Sequence, residues 1–455
     1  VSIFGGGITP NPRGGAGLTM PLLQTFRQAW ADPDLKGRLI FILAMFGVFV
    51  LGINIPVPIP GVNQAFLADA VKNIPLFAFM NIMGGGAVRR LSIFALGLNP
   101  YITSQIIMQV LTTAIPQWKK DLEEGGDYAR QQQAKRSRGL SLFLCFAQGY
   151  AFYAAMAGTK AVPYNFYLIA STLIFWTAGS MFMVWLGEQI SQKGIGNGVS
   201  LMIFAGICLS APAQFGQLWT NIQNRVPGSI TTAIVDIIIF LGTAWVVVLF
   251  TTSQRRIPMQ HMRRQFGTKT IGGQTSYLPI PVNTAGVIPL IFAISLLYIP
   301  QQVAMFISSR NPKLGAQLMD FTGWLSPAAE FPKNLVGCLF YAVLIFFFTY
   351  FYTAIQYNVE DIANNLKRGG SFIPGVRPGK QTKDFLDAII SRVTIAGAAF
   401  LTVVALAQYI GPALSGQRNM GLNVIGGTSL LIMVQVAIET MRQIEASLLM
   451  KQYGN

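Results

Sequence analysis

An all-α membrane protein of about ten transmembrane helices is the fold class this sequence predicts, on three observations. Hydrophobic residues make up 52% of the 455-residue chain and charged residues only 11%, a balance that suits lipid as the solvent. Apolar runs of about 17–25 residues recur along the whole length, each long enough to cross a hydrocarbon core of roughly 30 Å as a helix. Lys and Arg are unevenly placed: 24 of the 33 fall in segments that successive spans would leave on one side. By the positive-inside rule that side is the cytoplasm, and both termini belong there.

The spans are predicted near residues 39–55, 93–113, 139–158, 165–187, 198–213, 230–250, 284–307, 333–356, 389–409 and 421–441. Val1 to Met20 is rich in Gly and Pro and lacks the basic-then-apolar order of a signal peptide, so residues 1–19 read as a flexible extension. A formal charge of +16 would also suit a nucleic-acid binder, but its concentration on one side is accounted for by topology. Two loops on that side exceed what orientation requires. Thr251 to Pro281 carries Arg255, Arg256, Arg263, Arg264 and Lys269, and Tyr357 to Ala388 carries Lys367, Arg368, Arg377, Lys380 and Lys383. On composition they are either orientation signals or docking surfaces.

Two spans share a feature. GLNPYI (Gly97 to Ile102) and GVIPLI (Gly286 to Ile291) set Gly and Pro at the same spacing in corresponding halves of the chain, the trace an internal repeat of broken helices would leave. Ahead of the first lies Ile74 to Leu91, apolar through Phe77, Phe79 and Met83, then Gly84, Gly85 and Gly86, then Arg89 and Arg90. It is too short to span, and reads as a re-entrant helix on the outer side or as an interfacial helix.

Chemistry-bearing groups are scarce. Ion-coupled transporters place ionisable groups inside the bilayer, whereas here Glu188, Asp236 and Glu439 lie near span ends, where anchoring or capping accounts for them. His261 has no His or Cys beside it, and Cys145, Cys208 and Cys338 are far apart in apolar segments. No metal site, cofactor or disulfide framework is expected, and no enzyme activity. Gly379-Lys380 is followed by Gln381 and has Pro374 where a phosphate-cradling loop needs its first Gly, so ATP is not expected to bind here either. A secondary transporter of a small solute, which also uses inverted repeats, is the rival reading.

The stretch WLGEQISQKGIGNGVSLMIFAGI (Trp185 to Ile207) resembles the signature of the SecY family of protein-conducting channel subunits. It is joined, in family order, by SIFALGLNPYITSQIIMQ (Ser92 to Gln109), QRRIPMQ (Gln254 to Gln260), NTAGVIPLIFA (Asn283 to Ala293), SFIPGVRPG (Ser371 to Gly379) and GGTSLLI (Gly426 to Ile432). The resemblance covers about Met20 to the C-terminus. It implies two pseudo-symmetric halves of five spans, residues 20–213 and 214–441, closed around an hourglass pore, with residues 442–455 a cytoplasmic tail. It further implies a pore ring of Leu98, Ile102, Val199, Ile203, Ile291 and Ile432, and a plug over residues 74–91 including Phe77, Phe79, Met83, Gly84, Gly85 and Gly86. The lateral gate would lie between spans two and seven, at Pro100, Ile106, Ile288, Pro289 and Ile294. SecE and SecG are the implied companion subunits in a bacterial plasma membrane or, less readily, a thylakoid membrane. The motor SecA and the ribosome are the implied partners at Arg255, Arg256, Arg263, Arg264, Lys367, Arg368 and Arg377.

Overall fold

The structure, a computed structural model, describes residues 22–224, 229–261, 264–266, 269–271, 275–308, 311–329, 333–415 and 427–454. The extension at residues 1–19 and Arg263 lie outside the described residues. In chain order the elements begin with α1 (Leu22–Ala31), α2 (Pro33–Ile53), α3 (Gln64–Asn73), α4 (Pro75–Met83), α5 (Asn99–Ala114) and α6 (Pro116–Glu124). The long helices α7 (Gly126–Gly158), α8 (Phe166–Lys193), α9 (Gly198–Gln223) and α10 (Ser229–Thr252) follow. Strands β1 (Gln254–His261), β2 (Arg264–Phe266), β3 (Lys269–Ile271) and β4 (Thr275–Pro281) then lead into α11 (Ile288–Ser308), α12 (Pro312–Leu325), α13 (Lys333–Gln356) and α14 (Val359–Arg368). The chain closes with β5 (Ser371–Phe372), α15 (Lys380–Ser415) and α16 (Thr428–Gly454).

Among the described residues seven helical segments are long and apolar enough to cross a membrane: those of α2, α7, α8, α9, α11, α13 and α15. Three of the ten predicted spans fall short of that measure. Helix α5 has 16 residues, about 24 Å at the α-helical rise. Helix α10 qualifies as apolar only over Phe240–Thr252, and α16 carries Glu439, Arg442, Glu445 and Lys451.

The boundaries differ from prediction for a local reason. Spans two and seven, expected from residues 93 and 284, become helical only at Asn99 and Ile288. Gly97 and Gly286 sit at φ 61° and 67°, a left-handed conformation open to glycine, and the helix starts two residues later with Pro100 or Pro289 in its first turn. Proline is at home there because its missing N–H would have had no helical partner. The stretch expected as one helix over 74–91 is helical only through Met83. Gly85 and Gly86 at φ 66° and 89° turn the chain back, which is what the run of glycines is for.

The two basic loops fold together. Strand β1 pairs antiparallel with β4 from Gln254↔Pro281 to Gln260↔Thr275, and with β5 through Gln260↔Phe372 and His261↔Ser371. The order β4-β1-β5 makes β1 central, and Pro258 is tolerated because β5 does not reach it. Ile257, Ile280, Val359, Ile373, Leu386 and Ile390 form a hydrophobic core separate from that of the bundle. Lys383 on α15 bonds Glu360 on α14 at 2.7 Å and holds that carboxyl below its ordinary range. Both groups are solvated, so the apolar core and not the ion pair carries this platform. Leu386, fully buried at 0% exposure, is its centre. Leu386→Ala is expected to cost the platform about 2–5 kcal/mol, read as faster proteolysis within residues 254–281 with the bundle still inserted and intact.

Candidate functional site

Two cavities meet in the middle of the bundle. The larger, about 510 Å³, opens toward the hairpin side between α5, α9, α11 and α13, and its wall includes Gln105, Gln109, Asn197, Val199, Phe292 and Tyr352. The smaller, about 20 Å³, lies beneath α4 and is bounded by Phe79, Met83, Gly84, Leu98 and Met183. Ile102, Ile203 and Ile291 line both, so three branched aliphatics from α5, α9 and α11 form the waist between a wide polar-and-apolar funnel and a space with room for about one water molecule. They are 8%, 3% and 7% exposed.

Ile102 and Ile291 each stand five residues beyond the left-handed glycine that precedes their helix. The matched GLNPYI and GVIPLI segments therefore do the same thing twice: turn, start a helix, and deliver an isoleucine to the waist. The turn before α5 is held by Ser180 of α8, whose hydroxyl donates to the Gly97 carbonyl at 2.9 Å. Ile203 reaches the waist from α9, which is capped by Asn197, whose side chain accepts from the Val199 and Ser200 amides.

Of the six residues assigned to a ring, Leu98 lines the small cavity, Val199 the large one, and Ile102, Ile203 and Ile291 both. Ile432 on α16 is fully buried in the main core and lines neither cavity. Of the gate residues, Pro100, Ile106, Pro289 and Ile294 are buried and Ile288 is half-buried at the funnel, with α5 and α11 packed against each other.

Helix α4 seats on the waist. Phe77 is fully buried and Phe79 half-buried. At Gly206 of α9 the Met83 carbonyl approaches so closely that a Cβ would overlap it, and a Cβ at Gly85 would meet Ile53 at 3.0 Å. Close approach of this kind is what small residues provide in membrane bundles.

On the hairpin side, Arg255, Arg256, Lys367, Arg368 and Arg377 are exposed. The first two lie on β1, Lys367 and Arg368 in the last turn of α14, where cations suit the helix C-terminus, and Arg377 in the turn after β5. Arg264 lies on β2, paired with Ile271. The sheet that joins the two loops was not foreseen. The alternation of Arg256, Ile257 and Pro258 against Leu278, Pro279 and Ile280 was its signal, masked by the prolines. Glu188, expected to anchor a span end, instead makes a two-pronged ion pair from α8 to Arg138 of α7 at 2.8 Å for each bond. Among the described residues no group of His, Cys, Asp and Glu could hold a metal.

These features define a polytopic helical membrane protein with an apolar waist and a short helix seated on it. The model of the SecY family matches residues 92–441. The chain is 39% identical over 431 residues to the protein translocase subunit SecY of Aquifex aeolicus, covering 92% of this chain and 96% of that one. It is 37% identical to the same subunit of Synechocystis, covering 94% and 96%. Among solved structures it resembles one described as "The structure of a protein conducting channel", with a TM-score of 0.65 at 19% identity over 89% of this chain and 90% of that one. It also resembles the canine Sec61 of a ribosome-channel complex, with a TM-score of 0.60 at 17% identity over 89% and 90%. The chain belongs to the SecY family, and the transporter alternative finds no support.

Because the Met83 carbonyl leaves no space at Gly206, Gly206→Val is expected to unseat α4 and raise the ion leak of membranes holding the protein. Gly242→Val, where a Cβ meets nothing within 4 Å, is expected to leave the leak unchanged. Conductance of planar bilayers measures both.

Proposed function

We propose that this chain is the pore-forming subunit of a protein-conducting channel, through which unfolded secretory polypeptides cross the membrane and from which hydrophobic segments leave sideways between α5 and α11. It is a gated conduit and not an enzyme. Its two halves are residues 20–213 and 214–441, and it sits in the bacterial plasma membrane, in preference to a thylakoid membrane, with the hairpin platform and both termini in the cytoplasm. The observation that carries this reading is the waist of Ile102, Ile203 and Ile291 between the funnel and α4. An apolar constriction stops ions because they cannot shed their water there, and it offers a passing chain no hydrogen-bonding site at which to stall. Leu98, Val199 and Ile432 complete the ring, and α4 with the turn after it, from Phe77 to Gly86, is the plug that closes it at rest. The gate opens along Pro100, Ile106, Ile288, Pro289 and Ile294.

The platform is the socket for whatever pushes. Arg255, Arg256, Arg263, Arg264, Lys367, Arg368 and Arg377 would engage a ribosome or the motor SecA, since guanidinium pairs bidentately with rRNA phosphates and with carboxylates alike. SecE and SecG are its companion subunits. Family membership supports this reading, as does the description of the canine Sec61 relative, which is of a ribosome-channel complex.

Ion conductance of the reconstituted channel complex tests it. The native protein is expected to stay tight, and Ile102→Asn, Ile203→Asn and Ile291→Asn each to leak, with Ile432→Asn measured beside them. Unaltered conductance in correctly inserted variants would contradict the seal.

A further inference from the structure

The start of α5 and the start of α11 are seated in the same way. In each, the carbonyl four residues before the left-handed glycine rests on a glycine of a neighbouring long helix: a Cβ at Gly179 of α8 would overlap the Ile93 carbonyl, and a Cβ at Gly397 of α15 would stand 2.6 Å from the Val282 carbonyl oxygen. The two helix glycines lie in matching triplets, Ala178-Gly179-Ser180 and Ala396-Gly397-Ala398. The match ends at the third residue. Ser180 fastens the first turn by donating to the Gly97 carbonyl at 2.9 Å, whereas Ala398, fully buried at the corresponding place, has no donor to offer the second.

What the second turn has instead comes from α16. The Gln435 side-chain oxygen accepts from Asn283 Nδ2 at 3.2 Å and from Thr251 Oγ1 at 3.1 Å, so one side chain ties the turn before α11 to the end of α10. Asn283 and Thr251 are both buried, and a donor left without its acceptor at that depth pays its full desolvation cost. The Gln435 amide nitrogen lies against the Gly286 backbone, 3.5 Å from where a Cβ would stand. Two turns further along α16, Arg442 donates to the Thr251 carbonyl at 3.2 Å and fixes the α10 end of the clasp. Helix α13 also holds the turn, with the Thr284 and Thr353 hydroxyls 3.1 Å apart.

Resting on the conduit reading above, we infer that Gln435 is a positioning residue for the waist: it does for the start of α11 what Ser180 does for the start of α5. Ile291 stands five residues after Gly286, so the clasp at the turn decides where that isoleucine meets Ile102 and Ile203. Stiff branched side chains keep a seal only while the backbones that carry them stay in place. Helix α16 thereby acts on the seal through the start of α11, from a residue three positions past the end of the family-like segment Gly426 to Ile432.

The test uses the full chain in its reconstituted membrane complex, with ion leak read in planar bilayers and backbone hydrogen exchange read by mass spectrometry over residues 282–291. Gln435→Met keeps the length of the side chain and removes the acceptor. It is expected to raise the leak and to speed exchange in that segment about tenfold, with exchange in α7 and α8 unchanged. Thr251→Ser, which keeps the hydroxyl, is expected to stay tight. Thr251→Val added to Gln435→Met is expected to leak no more than Gln435→Met alone, because the two groups share one bond. The transplanted hydroxyl gives the strictest comparison: Ala398→Ser in the Gln435→Met background is expected to restore the seal by reaching the Gly286 carbonyl as Ser180 reaches that of Gly97. A Gln435→Met channel as tight and as protected from exchange as the native one overturns the inference. So does exchange that quickens equally throughout the bundle, or a leak from the Gln435→Met, Ala398→Ser variant equal to that of Gln435→Met. A native complex that is correctly inserted yet carries no secretory precursor across would bring down the conduit reading itself, a failure told apart because it appears before any substitution is made.

Discussion

Backbone polar groups inside a membrane protein must be satisfied by the protein itself, and two helices of this chain begin inside the bundle under that constraint. At Gly97 and Gly286 the backbone turns through a left-handed conformation, and a proline then occupies the first turn of the new helix, where an amide would have lacked a partner. The Leu98 carbonyl, one residue past the first glycine, accepts from the Ile102 amide at 3.0 Å, and the Val287 carbonyl, one residue past the second, accepts from the Ile291 amide at 3.2 Å. Because both turns are solved in the same way, both helices present an isoleucine at the same offset. The waist is a consequence of how α5 and α11 start.

From the waist outward the remaining features fall into place. Branched aliphatics have few accessible rotamers, so a waist made of them has a defined shape and presents no side-chain hydrogen-bonding group. The funnel on one side is wide and mixed in character, and the space on the other is nearly filled by α4. Few ionisable groups stand in the protein's spans. The platform presents Arg255, Arg256, Lys367, Arg368 and Arg377 exposed on the hairpin side. It has its own hydrophobic core, and β4 runs directly into the turn that starts α11: the Val282 amide bonds the Ser253 carbonyl at 2.9 Å at the base of the hairpin. The sheet is therefore close in the chain to one wall of the waist.

Much of this was legible in the amino-acid sequence because lipid imposes a coarse code. Apolar length placed most spans, and the paired Gly and Pro marked the two interrupted helices before any coordinates. The start of each helix was misplaced by a few residues because hydropathy does not register the backbone turn at Gly97 or Gly286. The same blindness stretched α4 to Leu91, where the glycines end it at Met83. The residues of the waist could not have been singled out from physics alone, since Ile102, Ile203 and Ile291 read as ordinary packing and only motif resemblance marked them. Ile432, chosen on the same grounds, is fully buried and is not among the residues lining either cavity. The sheet joining the basic loops was hidden by Pro258, Pro279 and Pro281, which look like strand breakers until the pairing shows β5 falling short of the first.

The most direct test of the central claim is to ask what a chain in transit touches. A secretory precursor stalled midway, carrying one photoreactive or thiol-reactive group, would be probed against Ile102→Cys, Ile203→Cys and Ile291→Cys, with outward-facing Leu339→Cys and Val403→Cys as controls, exposed by 69% each. Crosslinks confined to the three waist positions are the predicted result. Crosslinks that avoid the waist, or that favour the outward-facing positions while transport proceeds, would contradict the account.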